Sequence, residues 1–487
     1  MIFNSVTYIL FLFIVVCLYW ALPLKQGRLM LLVTSLLFYG FWRFEFIPLL
    51  LIAAVLDYWC SIKIEEQTEY KKRLAFLVLS LSINLGILFY FKYLLFFAEN
   101  VVWGLNLFGC KLDVPYLNII LPLGISFYTF ETVSYTVDVY RKHIKAERNF
   151  LSYATFLVYF PHLIAGPVLR AAEILPQLRT KRNFDVSFIV TGTKRVIQGL
   201  FLKVALADNI APYVDNGFLL QTSSLSALDV LTLAFMFGMQ IYFDFCAYSH
   251  IAIGSAKMMG IDFPENFNFP YVASSFKEFW QRWHISLSSW IRDYLYLPLL
   301  KTKVVNDAAI GIGSSLESTS QKRNRNVVLF MTWTIMGLWH GANWTFIFWG
   351  FYHATFIFIE RMLVKYRTNK EINPIRQALG WIIVVPVIML SWIPFRAANM
   401  HIVCDMYAKL MVPSAYTKLG MQENIYIICA CLFLLMILTY TYKRVLQPKI
   451  QQLKKLNSFL TIVAYTVMII LVFTFLRPIS QFIYFQF

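Results

Sequence analysis

Charged residues are scarce in this chain. Asp, Glu, Lys and Arg make up 14% of its 487 residues, whereas hydrophobic residues make up 59%. Soluble domains carry about 25% charged and about 45–50% apolar residues. The mean hydropathy is +0.62, and no stretch is polar enough to form a soluble domain. The composition therefore excludes a soluble enzyme and predicts an all-α, polytopic membrane protein.

Acidic residues are especially few, with 26 Asp and Glu against 43 Lys and Arg and a formal net charge of +17. In a membrane protein such an excess usually marks basic cytoplasmic loops. No basic run is interleaved with aromatic residues on a polar face. We therefore expect no nucleic acid among the partners and take the lipid bilayer as the surrounding medium.

Several familiar motifs of catalysis and ligand binding are missing. The chain lacks GxSxG, the Walker A sequence and GxGxxG, which are the marks of common hydrolases and nucleotide-binding proteins. Its seven cysteines form no CxxC pair. No group of His, Cys, Asp and Glu has the spacing of a zinc site. We therefore expect no bound metal and no resident cofactor.

Long hydrophobic runs dominate the chain instead. A membrane-spanning helix needs about 20 apolar residues, and the runs predict about 11–12 spans. The first, Ser5–Leu22, has no basic start or cleavage site and is expected to be retained. Basic segments such as Lys63–Arg73 alternate with Ala98–Pro115 and Pro212–Ser226, which hold a single Lys between them. The positive-inside rule then places the basic segments in the cytoplasm and both termini outside.

Two hydrophobic stretches are interrupted. Leu151–Val168 contains the sequence PHLIAGP, and Phe276–Leu300 mixes charged residues and a histidine with aromatic residues. Polar or irregular backbone at membrane depth must be buried in protein or line a cavity, so we interpret both as re-entrant or interfacial. The aromatic residues of the second stretch recur every three to four positions, which predicts an amphipathic helix at the cytoplasmic face.

His340 is the first candidate catalytic residue. It follows the basic residues Lys322–Arg325 by roughly 20 Å of helix, so it lies well inside the bilayer. Gly341, Ala342 and Asn343 come next and favour a break, which predicts His340 near the apex of a helical hairpin. Trp339, Asn343 and Trp344 flank it, and Asn343 shares its helical face if the helix continues. A neutral His there suits general-base chemistry on a hydroxyl, although an intramembrane His can also simply bond a neighbouring helix.

His284 is the second candidate. Its segment carries Arg282, Arg292 and Asp293 among several aromatic residues. One interpretation is an interfacial anchor helix with no chemical role. The other is an inward-facing vestibule in which Arg282, His284 and Arg292 meet an anionic donor. The residues alone leave both interpretations open.

A transporter or flippase is the main alternative to an enzyme. Asp244 is a rare intramembrane acid, and interrupted helices are common at transporter binding sites. However, the chain shows no inverted repeat, which many transporters contain.

Several segments, in order, resemble the membrane-bound O-acyltransferase family, and most closely its bacterial branch with the alginate O-acetyltransferase membrane subunit. The core segment Tyr242–Leu299 carries RWHISLSSWIRDY, and Gly337–His353, GLWHGANWTFIFWGFYH, is similar to the family's catalytic-histidine segment. Cys246, Ala247 and His250 depart from the branch pattern. Further matches are Leu121–Arg141, FPHLIAGPVLR at Phe160–Arg170, SWIPFRA at Ser391–Ala397 and the terminal FIYFQF at Phe482–Phe487.

The resemblance implies a ring of membrane helices in which a cytoplasmic thioester meets an acceptor from the other side. His340 matches the family's catalytic histidine and His284 its second histidine. The implied activity is O-acyl transfer, with an acetyl group from acetyl-CoA or another acyl thioester. Asn343 and Trp339 would lie at the catalytic base, with Asn343 orienting His340 or the thioester carbonyl. Arg282, Arg292 and Asp293 would shape the donor side.

The resemblance also implies acceptors and partners. The acceptor would be an extracytoplasmic polysaccharide, either an alginate-like exopolysaccharide or peptidoglycan, at the bacterial inner membrane. Because no polar domain is present to bind a polymer, we expect a periplasmic acetyltransferase-like partner. D-alanyl transfer to teichoic acid remains an alternative within the family. We expect one membrane domain over residues 1–487, with N-terminal helices in 1–145, a catalytic core in 146–365 and C-terminal helices in 366–487.

Overall fold

The computed structural model describes residues 1–114, 117–300, 319–365, 373–447, 454–476 and 482. Within these ranges the secondary structure is helical and contains no strand, so the predicted all-α class is confirmed. The terminal motif Phe482–Phe487 lies outside the described residues except for Phe482. The expectation of a single membrane domain stays a prediction.

The described helices range from 3 residues in α15 to 32 in α12. Local sequence explains several of their ends: Ser5, Asn149, Asn373 and Asn399 each accept a hydrogen bond from the first turn of the following helix. In chain order they are α1 Val6–Ala21, α2 Leu24–Gly40, α3 Ile47–Glu66, α4 Tyr70–Leu88, α5 Leu94–Leu107, α6 Ile125–Tyr140, α7 Phe150–Val158, α8 Phe160–Leu163, α9 Ala171–Arg179, α10 Val186–Leu200, α11 Asp208–Leu219, α12 Ala227–Met258, α13 Phe276–Trp280, α14 Ile285–Ile291, α15 Leu297–Leu299, α16 Thr319–His340, α17 Trp344–Lys365, α18 Pro374–Arg396, α19 Met400–Leu410, α20 Glu423–Thr441 and α21 Lys454–Thr474.

Membrane-spanning helices confirm the multi-pass architecture. Among the described residues, six helices are long and apolar enough to cross a membrane, and two shorter apolar helices, Val6–Ala21 and Phe459–Thr474, accompany them. The number is below the 11–12 spans expected from the sequence. Several of the expected spans are shorter helices in the structure: α1, α2 and α6 have 16, 17 and 16 residues. The six are Phe44–Glu66, Tyr70–Leu107, Ala227–Met258, Trp344–Val364, Pro374–Arg396 and Glu423–Leu446.

The first of two compact units comprises Met1–Lys203, Phe245–Glu265 and Arg477–Gln486. It contains the predicted PHLIAGP interruption, where α8 ends at Leu163 and the helix resumes only at α9. Glu131 of α6 holds this segment, since its Oε1 lies 3.0 Å from His162 Nδ1 and accepts a hydrogen bond from the Leu169 N–H at 3.1 Å. Gly124 has a φ of +74°, and a Cβ there would lie 2.1 Å from the Leu163 carbonyl oxygen. The irregular segment is therefore fixed by a buried carboxyl group and a close backbone contact.

The second unit comprises Val204–Asp244, Asn266–Leu476 and Phe487, and holds both candidate histidines. The first half of the 32-residue helix α12 belongs to it. A Cβ at Gly238 of this helix would lie 2.5 Å from Met389 Sδ and 2.8 Å from Trp392 Cδ1. Glycine is thus required for α12 to approach α18, which carries Trp392 into the aromatic interior described below.

Candidate active site

His340 is the last residue of α16, and Gly341–Asn343 form the turn into α17. Two glycines allow the helices to pack closely. A Cβ at Gly337 would lie 2.2 Å from the carbonyl oxygen of Phe346, and one at Gly350 would lie 2.1 Å from that of Trp333. The prediction that His340 lies at the apex of a helical hairpin is confirmed.

Aromatic rings enclose His340, which is only 5% exposed. Ring centroids of Trp339, Trp349 and Phe395 lie 4.8, 5.0 and 5.2 Å from that of His340, all in edge-to-face arrangements. Trp344, which the sequence predicted beside His340, is 54% exposed. The reason is that α17 starts at Trp344 and turns its first residue outward, while Trp349 lies on the face that meets α16.

Asn343 caps the helix that follows His340. Its Oδ1 accepts a hydrogen bond from the Thr345 N–H at 3.0 Å, and its Nδ2 donates to the Ala398 carbonyl oxygen at 3.2 Å. The helix ends at His340, so the condition under which Asn343 would share its helical face is not met. Asn343 instead fixes the turn at the apex and ties it to the end of α18. Its proposed contact with a substrate stays a prediction.

His284 lies at a break between two short helices. It precedes α14 with a φ of +42°, in the left-handed region that non-glycine residues rarely adopt. The predicted single amphipathic helix through this stretch is therefore wrong, since α13 ends at Trp280 and α14 begins at Ile285. His284 is 1% exposed, and its Nδ1 lies 3.0 Å from Oδ1 of Asn266. Burial lowers the pKa of His284 to about 3, so the ring is neutral.

The charged residues near His284 form ion pairs. Arg282 donates from Nε to Glu278 Oε1 at 3.0 Å and from NH1 to the Asn268 carbonyl oxygen at 2.9 Å. Arg444 also contacts Glu278 Oε1, at 2.5 Å. Burial alone would raise the pKa of Glu278. However, hydrogen bonds from Ser274 and the charges of Arg444 and Arg282 outweigh burial and lower the pKa below its usual value.

Arg292 and Asp293 form a separate pair. Arg292 Nε lies 2.6 Å from Asp293 Oδ1, and the Arg292 side chain is 63% exposed. The pair begins the π-helical turn Arg292–Tyr296, which follows α14. Arg292 NH2 also donates to Asp293 Oδ2, at 3.1 Å, so both arginines are paired with a carboxylate, but the Arg292 side chain is much the more exposed of the two. A donor-binding role for these residues stays a prediction.

A continuous series of ring contacts joins the two histidine segments. Trp283, next to His284, lies 4.9 Å from Trp392, which lies 5.5 Å from Phe395, and Phe395 contacts His340 at 5.2 Å. These distances join ring centroids. The second unit therefore brings His284 and His340 to two parts of one aromatic cluster.

His353 is a buried residue that the sequence did not single out for this site. It is 0% exposed, its Nε2 lies 3.0 Å from Ser391 Oγ, and its ring lies 4.7 Å from Trp349. The sequence held a signal for this residue, because the spacing of Phe346, Trp349 and His353 places them on one face of a helix. Once the hairpin is assumed, that spacing predicts that His353 lies on the same face as Trp349. Asn266 was also missed, because it belongs to an irregular segment with no periodicity. Within the described residues, no group of three or more His, Cys, Asp or Glu could hold a metal ion.

Comparison with known proteins decides the family. The model of MBOAT, the membrane-bound O-acyltransferase family, matches residues 33–310. The chain belongs to the membrane-bound O-acyltransferase family. It is therefore an acyltransferase and a multi-pass membrane protein, and this membership decides against the transporter alternative.

Three relatives of this acyltransferase carry names that state an activity. The chain is 39% identical to the probable alginate O-acetylase AlgI of Azotobacter vinelandii over 84% of this chain and 78% of that protein. It is 34% identical to a peptidoglycan O-acetyltransferase of Helicobacter pylori over 77% of this chain and 72% of the relative. It is 29% identical to a teichoic acid D-alanyltransferase of Bacillus subtilis over 52% of this chain and 63% of that protein.

Proposed function

We propose that this acyltransferase moves an acetyl group from a cytoplasmic thioester, such as acetyl-CoA, to a hydroxyl of an extracytoplasmic polysaccharide. The acceptor is an alginate-like exopolysaccharide or peptidoglycan, reached directly or through a periplasmic acetyltransferase-like partner. The protein acts in the bacterial inner membrane. The similarity to an alginate O-acetylase and a peptidoglycan O-acetyltransferase, each over most of the chain, supports this choice of acyl group and acceptor.

The position of His340 carries the proposal. Its imidazole ends a helix at a hairpin apex, is buried, and is held by three aromatic rings. A neutral imidazole in an apolar setting takes a proton from a hydroxyl as that oxygen attacks the thioester carbonyl carbon. The C–S bond then breaks, and the imidazolium returns the proton to the departing thiolate. The products are an ester and a thiol, and no net proton is gained or lost.

The surrounding residues have supporting roles in this proposal. Trp339 excludes water beside the base, and Asn343 holds the turn from which His340 projects. His284 contributes at the second part of the aromatic cluster. Arg282, Arg292 and Asp293 shape the donor side, with the exposed Arg292 as the group that meets the anionic portion of a thioester donor. The donor is a substrate, and the proposal includes no resident cofactor.

A reconstituted transfer assay tests the function. Purified protein in liposomes would receive acetyl-CoA and a polysaccharide acceptor, and released thiol and ester would both be measured. We expect matched release of thiol and ester by the wild type and a loss of about 10²–10⁴-fold for His340→Gln, the range for removing a general base. Equal rates for wild type and variant would overturn the role of His340.

D-alanyl transfer is the second candidate, favoured by the similarity to the teichoic acid D-alanyltransferase. The donor separates the two activities. Turnover with acetyl-CoA and none with a D-alanyl carrier protein supports acetyl transfer, and the reverse pattern supports D-alanyl transfer. The same liposomes serve both measurements.

A further inference from the structure

Asn266 contacts His284 and the residues that follow it, and it has no role in the proposed mechanism above. It lies in the second unit, in the irregular segment before α13, and is 0% exposed. Its Oδ1 lies 3.0 Å from His284 Nδ1 and 2.8 Å from Ser286 Oγ. Its main-chain oxygen accepts a hydrogen bond from the Ile285 N–H at 2.9 Å. Asn266 thus binds His284 and the two residues after it.

The hydrogen-bond pattern determines the tautomer of His284. The Ser286 backbone N–H also donates to the same Asn266 side-chain atom, at 3.4 Å. A backbone N–H can only donate, so that atom is the amide oxygen and not the amide nitrogen. An amide oxygen can only accept, so Nδ1 of His284 carries the proton. In a neutral ring the lone pair is then on Nε2.

The backbone conformation of His284 indicates that its surroundings hold the side chain in this orientation. A non-glycine residue in the left-handed region is strained and persists only where the surroundings hold it. Here the surroundings are the Asn266 contacts to positions 284, 285 and 286, together with the Phe267 ring, whose centroid lies 6.3 Å from that of His284. The strained backbone and the fixed side chain together give the imidazole one orientation.

We propose that Asn266 is a positioning residue that holds His284 as the Nδ1–H tautomer, so that Nε2 acts as a hydrogen-bond acceptor toward an O–H or N–H group of a substrate. This proposal rests on the proposed function in one respect, namely that His284 belongs to the acyl-transfer site. His284 then cannot donate to the thioester carbonyl, and its contribution differs from that of His340. It orients a substrate group rather than removing its proton.

The neutral state of His284 agrees with an acceptor role. Burial is the cause of its lowered pKa. Asn266 and Ser286, which share the hydrogen-bond network with it, are uncharged. A carboxylate at position 266 would keep the acceptor oxygen but favour the imidazolium. This difference between amide and carboxylate makes the proposal testable.

Two substitutions of similar size distinguish a positioning role of Asn266 from a purely structural one. Asn266→Leu removes the acceptor oxygen, and we expect kcat per folded molecule to fall about 10–100-fold, the usual effect of losing a group that orients a site histidine. Asn266→Asp retains the oxygen and should keep most activity at pH 8. Its activity should then fall between pH 7 and pH 5, where the wild type shows no such loss from His284. Ser288→Ala, which removes a hydroxyl on the same short helix that bonds Trp283 and not Asn266, is the matched control.

Folded protein is quantified by fluorescence-detected gel filtration, and His284→Gln completes a double-substitution cycle. If Asn266 acts through His284, then Asn266→Leu adds little to the loss already caused by His284→Gln. The proposal is overturned if Asn266→Leu lowers only the amount of folded protein, or if Asn266→Asp leaves the pH profile unchanged. An inactive His340→Gln with unaffected Asn266 variants would contradict this inference alone, whereas an active His340→Gln would contradict the proposed function.

Discussion

The ring of Trp349 lies edge-on to the ring of His340, with centroids 5.0 Å apart and planes at 84°. The same indole contacts His353 at 4.7 Å and Phe395 at 5.4 Å. Trp349 is 1% exposed, and its buried ring packs directly against the imidazole of His340. The direction in which His340 faces therefore depends on a residue of the opposite helix of the hairpin.

Removing that ring should impair catalysis. We expect Trp349→Ala to lower kcat about 100-fold, because small misplacements of a reacting group have effects of that size. Trp349→Phe, which retains an aromatic ring, should lose less. Trp344→Ala is the control, since Trp344 is 54% exposed and should leave kcat within about threefold. A Trp349→Ala enzyme with wild-type kcat would show that the ring contact does not orient His340.

Close packing of the hairpin predicts a strong effect of one methyl group. In Gly350→Ala the new Cβ would lie 2.1 Å from the Trp333 carbonyl oxygen, so α16 and α17 must separate. We expect the free energy of unfolding to fall by about 1–3 kcal/mol, as for other overpacked cores, and transfer activity to be lost. Thermal unfolding and thiol release measure the two effects. Gly104→Ala, with no atom within 4 Å of the new Cβ, should be as stable as the wild type or slightly more so.

Substitutions of Asn343 can distinguish its role as a helix cap from a direct contact with substrate. Asn343→Ser and Asn343→Asp keep an oxygen that can accept from the Thr345 N–H, whereas Asn343→Ala removes it. If the residue acts as a cap, the first two variants should retain activity and the third should lose about 1 kcal/mol of stability. Unfolding temperature and kcat are both needed. Inactive but fully stable Ser and Asp variants would instead indicate a contact between the Asn343 amide nitrogen and substrate.

Glu278 gives a pH dependence of stability with a defined sign. Its pKa in the folded protein lies below the usual value, so its ionised form stabilises the fold at pH values above its unfolded pKa of about 4.3. That stabilisation is lost as the pH falls through the unfolded value toward the folded one. We expect Glu278→Gln to cost about 2 kcal/mol at pH 7, in line with hydrogen bonds to charged groups.

The difference between wild type and Glu278→Gln should therefore shrink as the pH is lowered from about 5 to about 3. Unfolding in detergent, followed by intrinsic fluorescence, measures it. Glu423 is exposed, so Glu423→Gln is the control and should follow the wild type. A difference in stability between wild type and Glu278→Gln that stays constant from about pH 7 to about pH 3 would contradict the ion-pair network around Glu278.

Sequence patterns predicted the features that depend on neighbouring residues in the chain. The Gly-Ala-Asn turn after His340 indicated the hairpin because glycine and asparagine end helices locally. The PHLIAGP interruption was predicted for the same reason. Both are observed as breaks between helices. The scarcity of charge and the hydrophobic runs indicated a multi-pass membrane protein without any tertiary information.

Features that depend on distant residues were not predictable in this way. The aromatic residues of Phe276–Trp290 continue at helical spacing through a break that the backbone makes at His284. That break is held by Asn266, which lies 18 residues before His284 in a segment with no periodicity. Likewise, Phe395 comes from α18, and its packing on His340 is a tertiary contact. Run length alone also does not give the length of a helix, since the expected span Ser5–Leu22 contains a helix of 16 residues.

The cell envelope gives the most direct test of the central claim that His340 is the catalytic base. Mass spectrometry would compare envelope polysaccharides from cells carrying the wild type or His340→Ala, at equal amounts of folded protein in the membrane. We predict that one class of O-acetyl ester disappears in the variant while the polysaccharide itself remains. An unchanged ester content in His340→Ala cells, with the ester absent when the whole protein is removed, would contradict the assignment.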